Sequence, residues 1–79
     1  MKTTTYFDRR KQDHGVTLEH VIEALQNEVA REVQEDGRMR IWGYVDAFGK
    51  YLRVVLLPDG ETVHNAFPDR TFTRRWRAS

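Results

Sequence analysis

Apolar positions along the chain change their period part-way. Leu18, Val21, Ile22 and Leu25 fall at i, i+3, i+4 and i+7, the spacing that puts one stripe on one face of a helix. Thr17 is the expected N-cap, its hydroxyl able to accept from a backbone amide near Glu19 or His20. Glu19 lies in the first turn, where the helix dipole favours an acid. Beyond Leu25 the period becomes two: Val29, Arg31 and Val33 alternate with Ala30, Glu32 and Gln34, which predicts a strand, with one long helix to Glu35 as the rival. Asp36-Gly37 and Asp59-Gly60 each suit a two-residue type I′ turn. They bracket strands at 39–45 and 51–57, joined by a loop holding Gly49, and a last strand at 62–67 that Pro68 stops. Residues 1–15 read as a short strand or extended arm around Tyr6-Phe7, then a polar turn or short helix. The expected fold is α+β: an N-terminal arm and one main helix packed on a four-stranded antiparallel meander sheet. One domain spans 1–79, its core about 6–72, with 73–79 as a basic tail.

Two-residue turns fix a register, and the register decides which side chains share a face. A turn at Asp59-Gly60 pairs Val55 with His64 and Arg53 with Ala66, and sends Arg53 and His64 out through the side away from the helix. Leu52, Val54, Leu56, Val63 and Phe67 then form the floor beneath the helix stripe, with Asn65 their one polar neighbour. The same rule at Asp36-Gly37 groups Arg31, Val33, Arg38, Arg40, Trp42 and Tyr44. If that is the face of Arg53, a concave basic and aromatic surface results, able to hold phosphates and stack bases. On a strand, Trp42 and Tyr44 serve equally well as packing residues.

Charge sharpens this picture. The net charge of +1 comes from 13 Lys+Arg against 12 Asp+Glu, but the signs are segregated. Residues 15–36 carry six acids against Arg31 alone, whereas the last ten residues hold four arginines and no acid. Arginine outnumbers lysine ten to three, and its planar fork suits phosphate better than a point charge does. The chain has no cysteine, which excludes disulfides, thiolate metal sites and Cys nucleophiles. Its only serine is Ser79, so a serine triad is absent, and its glycines stand singly, so no phosphate loop occurs. His14, His20 and His64 lack metal-ligand spacing. No cofactor and no metal is expected, no 18-residue apolar run predicts a membrane span, and no apolar leader predicts secretion; a cytoplasmic protein is the expectation. Among enzymes this leaves metal-independent RNA cleavage, which needs a base for the 2′-hydroxyl, an acid for the leaving oxygen and cations for the phosphorane.

The segment DRRKQDHGVT with the following LEHVIEAL resembles the "KHGVS" stretch that leads into the helix of BrnT-type toxins and of the small DUF4258-type domains. The stretch EDGRMRIWGYVDAFGKYLRVVLLPDGETVHNAFPDRTF is similar to their sheet, with a DGR hairpin, an LRVV strand and a DG turn. The resemblance covers roughly residues 8 to 72 and implies the barnase–EndoU–colicin–RelE-like ribonuclease fold. If the chain cleaves RNA as that fold implies, His64 or His14 is the expected general base or acid, with Arg53 and Arg70 on the phosphate charge and Asp69 beside them. Arg38, Arg40, Trp42, Tyr44 and Lys50 would hold the RNA. His64 and Asn65 depart from the Thr-Ala-Tyr that many relatives carry in the last strand. The functions in view are a toxin-like ribonuclease or RNA-binding protein with an antitoxin-like protein partner, a non-catalytic interaction module, and a small accessory protein that pairs with a second copy, a homodimer.

Overall fold

The computed structural model describes residues 1–78. Seven elements follow one another: helix α1 (Thr5–His14), helix α2 (Leu18–Gln26), strands β1 (Glu28–Val33), β2 (Met39–Val45), β3 (Lys50–Leu56) and β4 (Val63–Pro68), and helix α3 (Arg70–Ala78). The strands form one antiparallel meander in the order β1-β2-β3-β4, so the α+β class and the sheet stand as expected. No helix among the described residues is long and apolar enough to cross a membrane.

The N-terminal arm and the C-terminal tail are corrected. Only the first residues are extended, pairing with β4 through Val63 N–H to Lys2 O (2.9 Å) and Thr4 N–H to Val63 O (3.0 Å). Thr4 then caps a helix, its hydroxyl accepting from Phe7 N–H (3.1 Å), and Phe7 enters the core from α1. The segment after Pro68 is helical because Asp69 caps it: Oδ1 accepts from Phe72 N–H (3.0 Å), and the Asp69 carbonyl accepts from Thr73 N–H (3.0 Å).

Helix α2 starts as its sequence dictates. The Thr17 hydroxyl accepts from His20 N–H (3.3 Å) while His20 Nδ1 accepts from Thr17 N–H (3.0 Å), a capping box with histidine in the place of Glu or Gln. Val21 and Ala24 are buried, Leu18 and Leu25 pack partly buried against the core, and Ile22 turns out to be 40% exposed at the rim. The helix lies so close to β2 that a Cβ on Gly43 would overlap the Ala24 carbonyl, so only glycine fits there. The chain leaves α2 at Asn27 and runs straight into β1, which excludes one helix to Glu35.

Both turns are longer than two residues; loop length moves side chains between faces at the first hairpin, and a bulge does so at the second. At the first hairpin Gln34 N–H bonds Arg38 O (2.8 Å) and Gly37 N–H bonds Gln34 O (2.9 Å), leaving a three-residue loop with Gly37 at φ 88°. Arg31 therefore faces Ile41, Val33 faces Met39, and Glu32 faces Arg40. Arg31 and Val33 lie on the α2 side of the sheet, apart from Arg40, Trp42 and Tyr44. The second loop spans Pro58 to Glu61, closed by Leu57 N–H to Thr62 O (2.9 Å), and Asp59 accepts from the backbone of Glu61 and Thr62 (both 2.9 Å). Leu56 still faces Val63 as expected, but His64 is an extra residue, a β-bulge, after which Val55 faces Asn65 and Arg53 faces Phe67. Ala66 faces Val54 in the core, where Asn65 was expected, and Phe67 passes from the expected core floor to the face of Arg53.

The core of Ile41, Val45, Leu52, Val54, Leu56, Val63 and Ala66 is covered by α2 and by Phe7 and Val16. On the opposite face α3 covers one end of the sheet. Its Phe72 stacks on Trp42 (4.9 Å between ring centroids, 12° between planes) and Trp76 stacks on Phe72 (5.5 Å, 16°). Thr73 pins the helix to β3, its Oγ1 accepting from Tyr51 N–H and donating to Asp69 O (both 2.8 Å). The rest of that face stays open.

Candidate functional site

Arg53 stands at the centre of the open face. Its strand neighbours are Trp42 on β2 and Phe67 on β4, so its guanidinium lies by both rings, 5.8 Å and 5.1 Å from their centroids. Nε is buried, 3.4 Å from Asp69 Oδ2, and has no hydrogen-bond partner; no hydrogen bond from any part of this guanidinium exists among the described residues. The side chain is 28% exposed although Nε is buried against Asp69, so the guanidinium meets an acceptor from outside the chain with its terminal nitrogens. Arg53 lines two adjoining hollows. One, of about 230 Å³, is walled by Arg38, Arg40, His64, Asn65, Phe67 and Tyr6 among others. The other, of about 370 Å³, runs under the start of α3 between Trp42, Asp69, Thr71, Phe72 and Arg75.

Each of the three sheet arginines already has one carboxylate nearby. Arg38 is 3.5 Å from Asp36, Arg40 is 3.2 Å from Glu32, and Arg53 is paired with Asp69. The first two pairs are exposed, and pairs of that kind hold about 0–1 kcal/mol, so a phosphate can replace them at little cost. Asp69 is different in kind. Burial pushes its carboxyl up, but the N–H of Phe72, the Trp42 indole N–H (3.0 Å to Oδ2) and the Arg53 guanidinium outweigh that and hold it below the usual carboxylate range. It is an anion that caps α3, orients Trp42 and faces Arg53.

His64 lines the same hollow as Arg53, as expected, although the bulge rather than the turn puts it there. Its ring stacks on Tyr6 of α1 (4.9 Å, 20°), and Nδ1 lies 3.2 Å from the Thr4 hydroxyl. Burial, then the charge of Arg38, lower its pKa below 6.5, so the imidazole is neutral at pH 7. A neutral imidazole beside arginines can accept a proton.

The remaining expected residues are dispersed. His14 ends α1 with its ring 5.9 Å from Phe67, outside the residues that wall the two hollows. Trp42 is 8% exposed and Tyr44 packs edge-on to Tyr51 (5.3 Å), so α3 and its neighbours occupy the faces on which bases were expected to stack. Lys50 and Arg70 line a third hollow on the far flank of α3, away from Arg53 and His64. Sequence reasoning missed Tyr6, Thr4, Phe72 and Arg75. The spacing of Phe72 and Trp76 at i, i+4 after Pro68-Asp69 is the readable signal for the last helix. Compared with family models, curated proteins and solved structures, the chain matches none.

Proposed function

We propose that the protein is a small cytoplasmic RNA-binding domain of the toxin type, which grips a backbone phosphate on the open sheet face through Arg53, flanked by Arg38 and Arg40. The observation that carries this reading is the Arg53 guanidinium, which lies by Phe67 and Trp42, is paired with the Asp69 carboxylate and makes no hydrogen bond among the described residues. A phosphate offers the fork of acceptor oxygens that such a guanidinium lacks. The likeness of residues 8 to 72 to BrnT-type and DUF4258-type domains supports the same reading, as does the bias towards arginine. An antitoxin-like protein would act by covering this face.

One observation favours cleavage over binding alone, namely that neutral His64 shares the hollow with Arg53. In that reaction His64 takes the proton of a 2′-hydroxyl, and the oxygen attacks the adjoining phosphorus. The 5′-oxygen leaves as the P–O5′ bond breaks and takes a proton from solvent water, and a 2′,3′-cyclic phosphate remains. Arg53 stabilises the charge of the phosphorane. Purified protein is incubated with total RNA in EDTA, and binding is followed by anisotropy over a salt series. Affinity that falls steeply with salt and drops in Arg53→Gln supports RNA binding. Cyclic-phosphate ends that vanish in His64→Ala support cleavage. Absence of any RNA binding by the wild type at low salt would overturn both.

A further inference from the structure

Among the described residues, a group of cations with no carboxylate beside it lies off the open sheet face. Arg70, Arg74 and Arg77 recur at i, i+4 and i+7 along α3 and so share one side of it. With Lys50 and Thr73 they line a hollow of about 500 Å³. Among the described residues no carboxylate comes within 4 Å of these four cations, whereas Arg38, Arg40 and Arg53 on the sheet each have one. Their contacts are neutral. Arg77 donates to the Tyr44 hydroxyl (3.4 Å) and to Gly49 O (3.3 Å), and Lys50 Nζ donates to Phe48 O (3.5 Å). Such contacts place the charge without cancelling it. At its first turn the arrangement works against the helix that carries it, since Arg70 follows the Asp69 cap at the positive end of the dipole, whereas Arg77 in the last turn suits the negative end. Arg70 and Arg74 are like charges at i, i+4, which repel.

We infer that this flank of α3 is a second phosphate-binding surface, along which the backbone of a single-stranded RNA runs after leaving the sheet hollow. The inference rests on the RNA reading and names the part of the molecule that supplies most of the electrostatic affinity. Arg75 makes the route continuous, because it lines the sheet-side hollow while Arg74, its neighbour in sequence, lines the outer one. An extended polyanion fits four cations spread along a helix flank better than a single small anion does.

The test uses a labelled homopolymeric RNA oligonucleotide and the full chain, with affinity measured over a salt series. The variants are Arg70→Gln/Arg74→Gln/Arg77→Gln and, separately, Arg53→Gln. The triple variant is expected to weaken binding at low salt by about tenfold or more and to reduce the slope of log K against log salt by about 2, at roughly 0.7 per lost phosphate contact. Its thermal melt should stay cooperative, the loss of the two Arg77 hydrogen bonds being set against the relieved repulsion between Arg70 and Arg74, and this confirms a folded domain. A triple variant that binds with wild-type slope, while Arg53→Gln loses affinity, would overturn the second surface and leave the RNA reading standing. No binding by the wild type overturns both. A concentration-dependent mass in sedimentation that the triple variant abolishes, with RNA affinity unchanged, would instead make the flank a contact between copies, basic α3 against acidic α2, and would sink the inference.

Discussion

Asp69 divides two carboxylate oxygens among the backbone of α3, the indole of Trp42 and the guanidinium of Arg53. Removing its charge and removing its side chain should therefore differ. Asp69→Asn keeps a competent N-cap and an oxygen for the indole, but releases Arg53 from its anion. RNA affinity should rise, as read by anisotropy, with small change in stability. Asp69→Ala should cost about 0.5–2 kcal/mol through the lost cap, measured by urea denaturation. His64 offers a second residue-scale measurement. NMR titration should place its midpoint below 6.5 in the free protein, because burial and Arg38 disfavour the imidazolium, and higher when a phosphate neutralises Arg38. Much of this chemistry was readable in sequence: Arg53, His64 and Asp69 were each singled out, and all three stand around the two adjoining hollows. What could not be read was the occupation of Trp42, since nothing in the spacing of β2 says which of two sheet faces a later helix will cover.

Elements were legible where one residue type admits one geometry, and illegible where it admits two. Thr17 and the stripe after it defined α2 because a cap and a helical period coincide. An Asp-Gly pair, by contrast, serves a two-residue turn and also a longer loop whose glycine takes positive φ, and both hairpins chose the longer form. No residue type marks the bulge at His64, which decides that Phe67 rather than Ala66 flanks Arg53. The four arginines near the C-terminus hid the helical spacing of Phe72 and Trp76, because a basic run at a chain end also suits an unstructured tail. Gly43 carries the element-scale prediction. Gly43→Ala drives a methyl group into the backbone of α2 and should destabilise the fold by about 1–3 kcal/mol or more. Thermal melting checks this, and Gly49→Ala, which meets no neighbouring atom but sits at φ 60°, should cost less.

Across the whole molecule, a 79-residue chain has one thin core and little stability to spare. Leu52 is wholly buried at its centre, so Leu52→Ala should lose about 2–5 kcal/mol in urea denaturation, enough to unfold much of the population. Acid should weaken the fold in two ranges, since His64 and several carboxylates, Asp59 and Asp69 among them, titrate lower in the folded chain than in the unfolded one. His64 contributes stability above pH 6.5 that is lost as pH falls through its lowered folded value. Asp59, held at about 2 by Thr62 and the backbone of its loop, and Asp69, held low by α3, Trp42 and Arg53, contribute above about pH 4 and lose that contribution as pH falls towards 2. Melting temperatures across pH 2–8 should show both declines, the upper one absent in His64→Gln. The outer edge of β1 is the remaining exposed seam, with Val33 64% exposed, and Glu28, Arg31 and Glu32 on the same strand oppose its pairing with another chain.

The ring column of Trp42, Phe72 and Trp76 includes every tryptophan the chain owns. Indole emission and near-ultraviolet dichroism are therefore native reporters of whether the last helix is seated. Any ligand or partner that lifts that helix would announce itself spectroscopically, with no label attached.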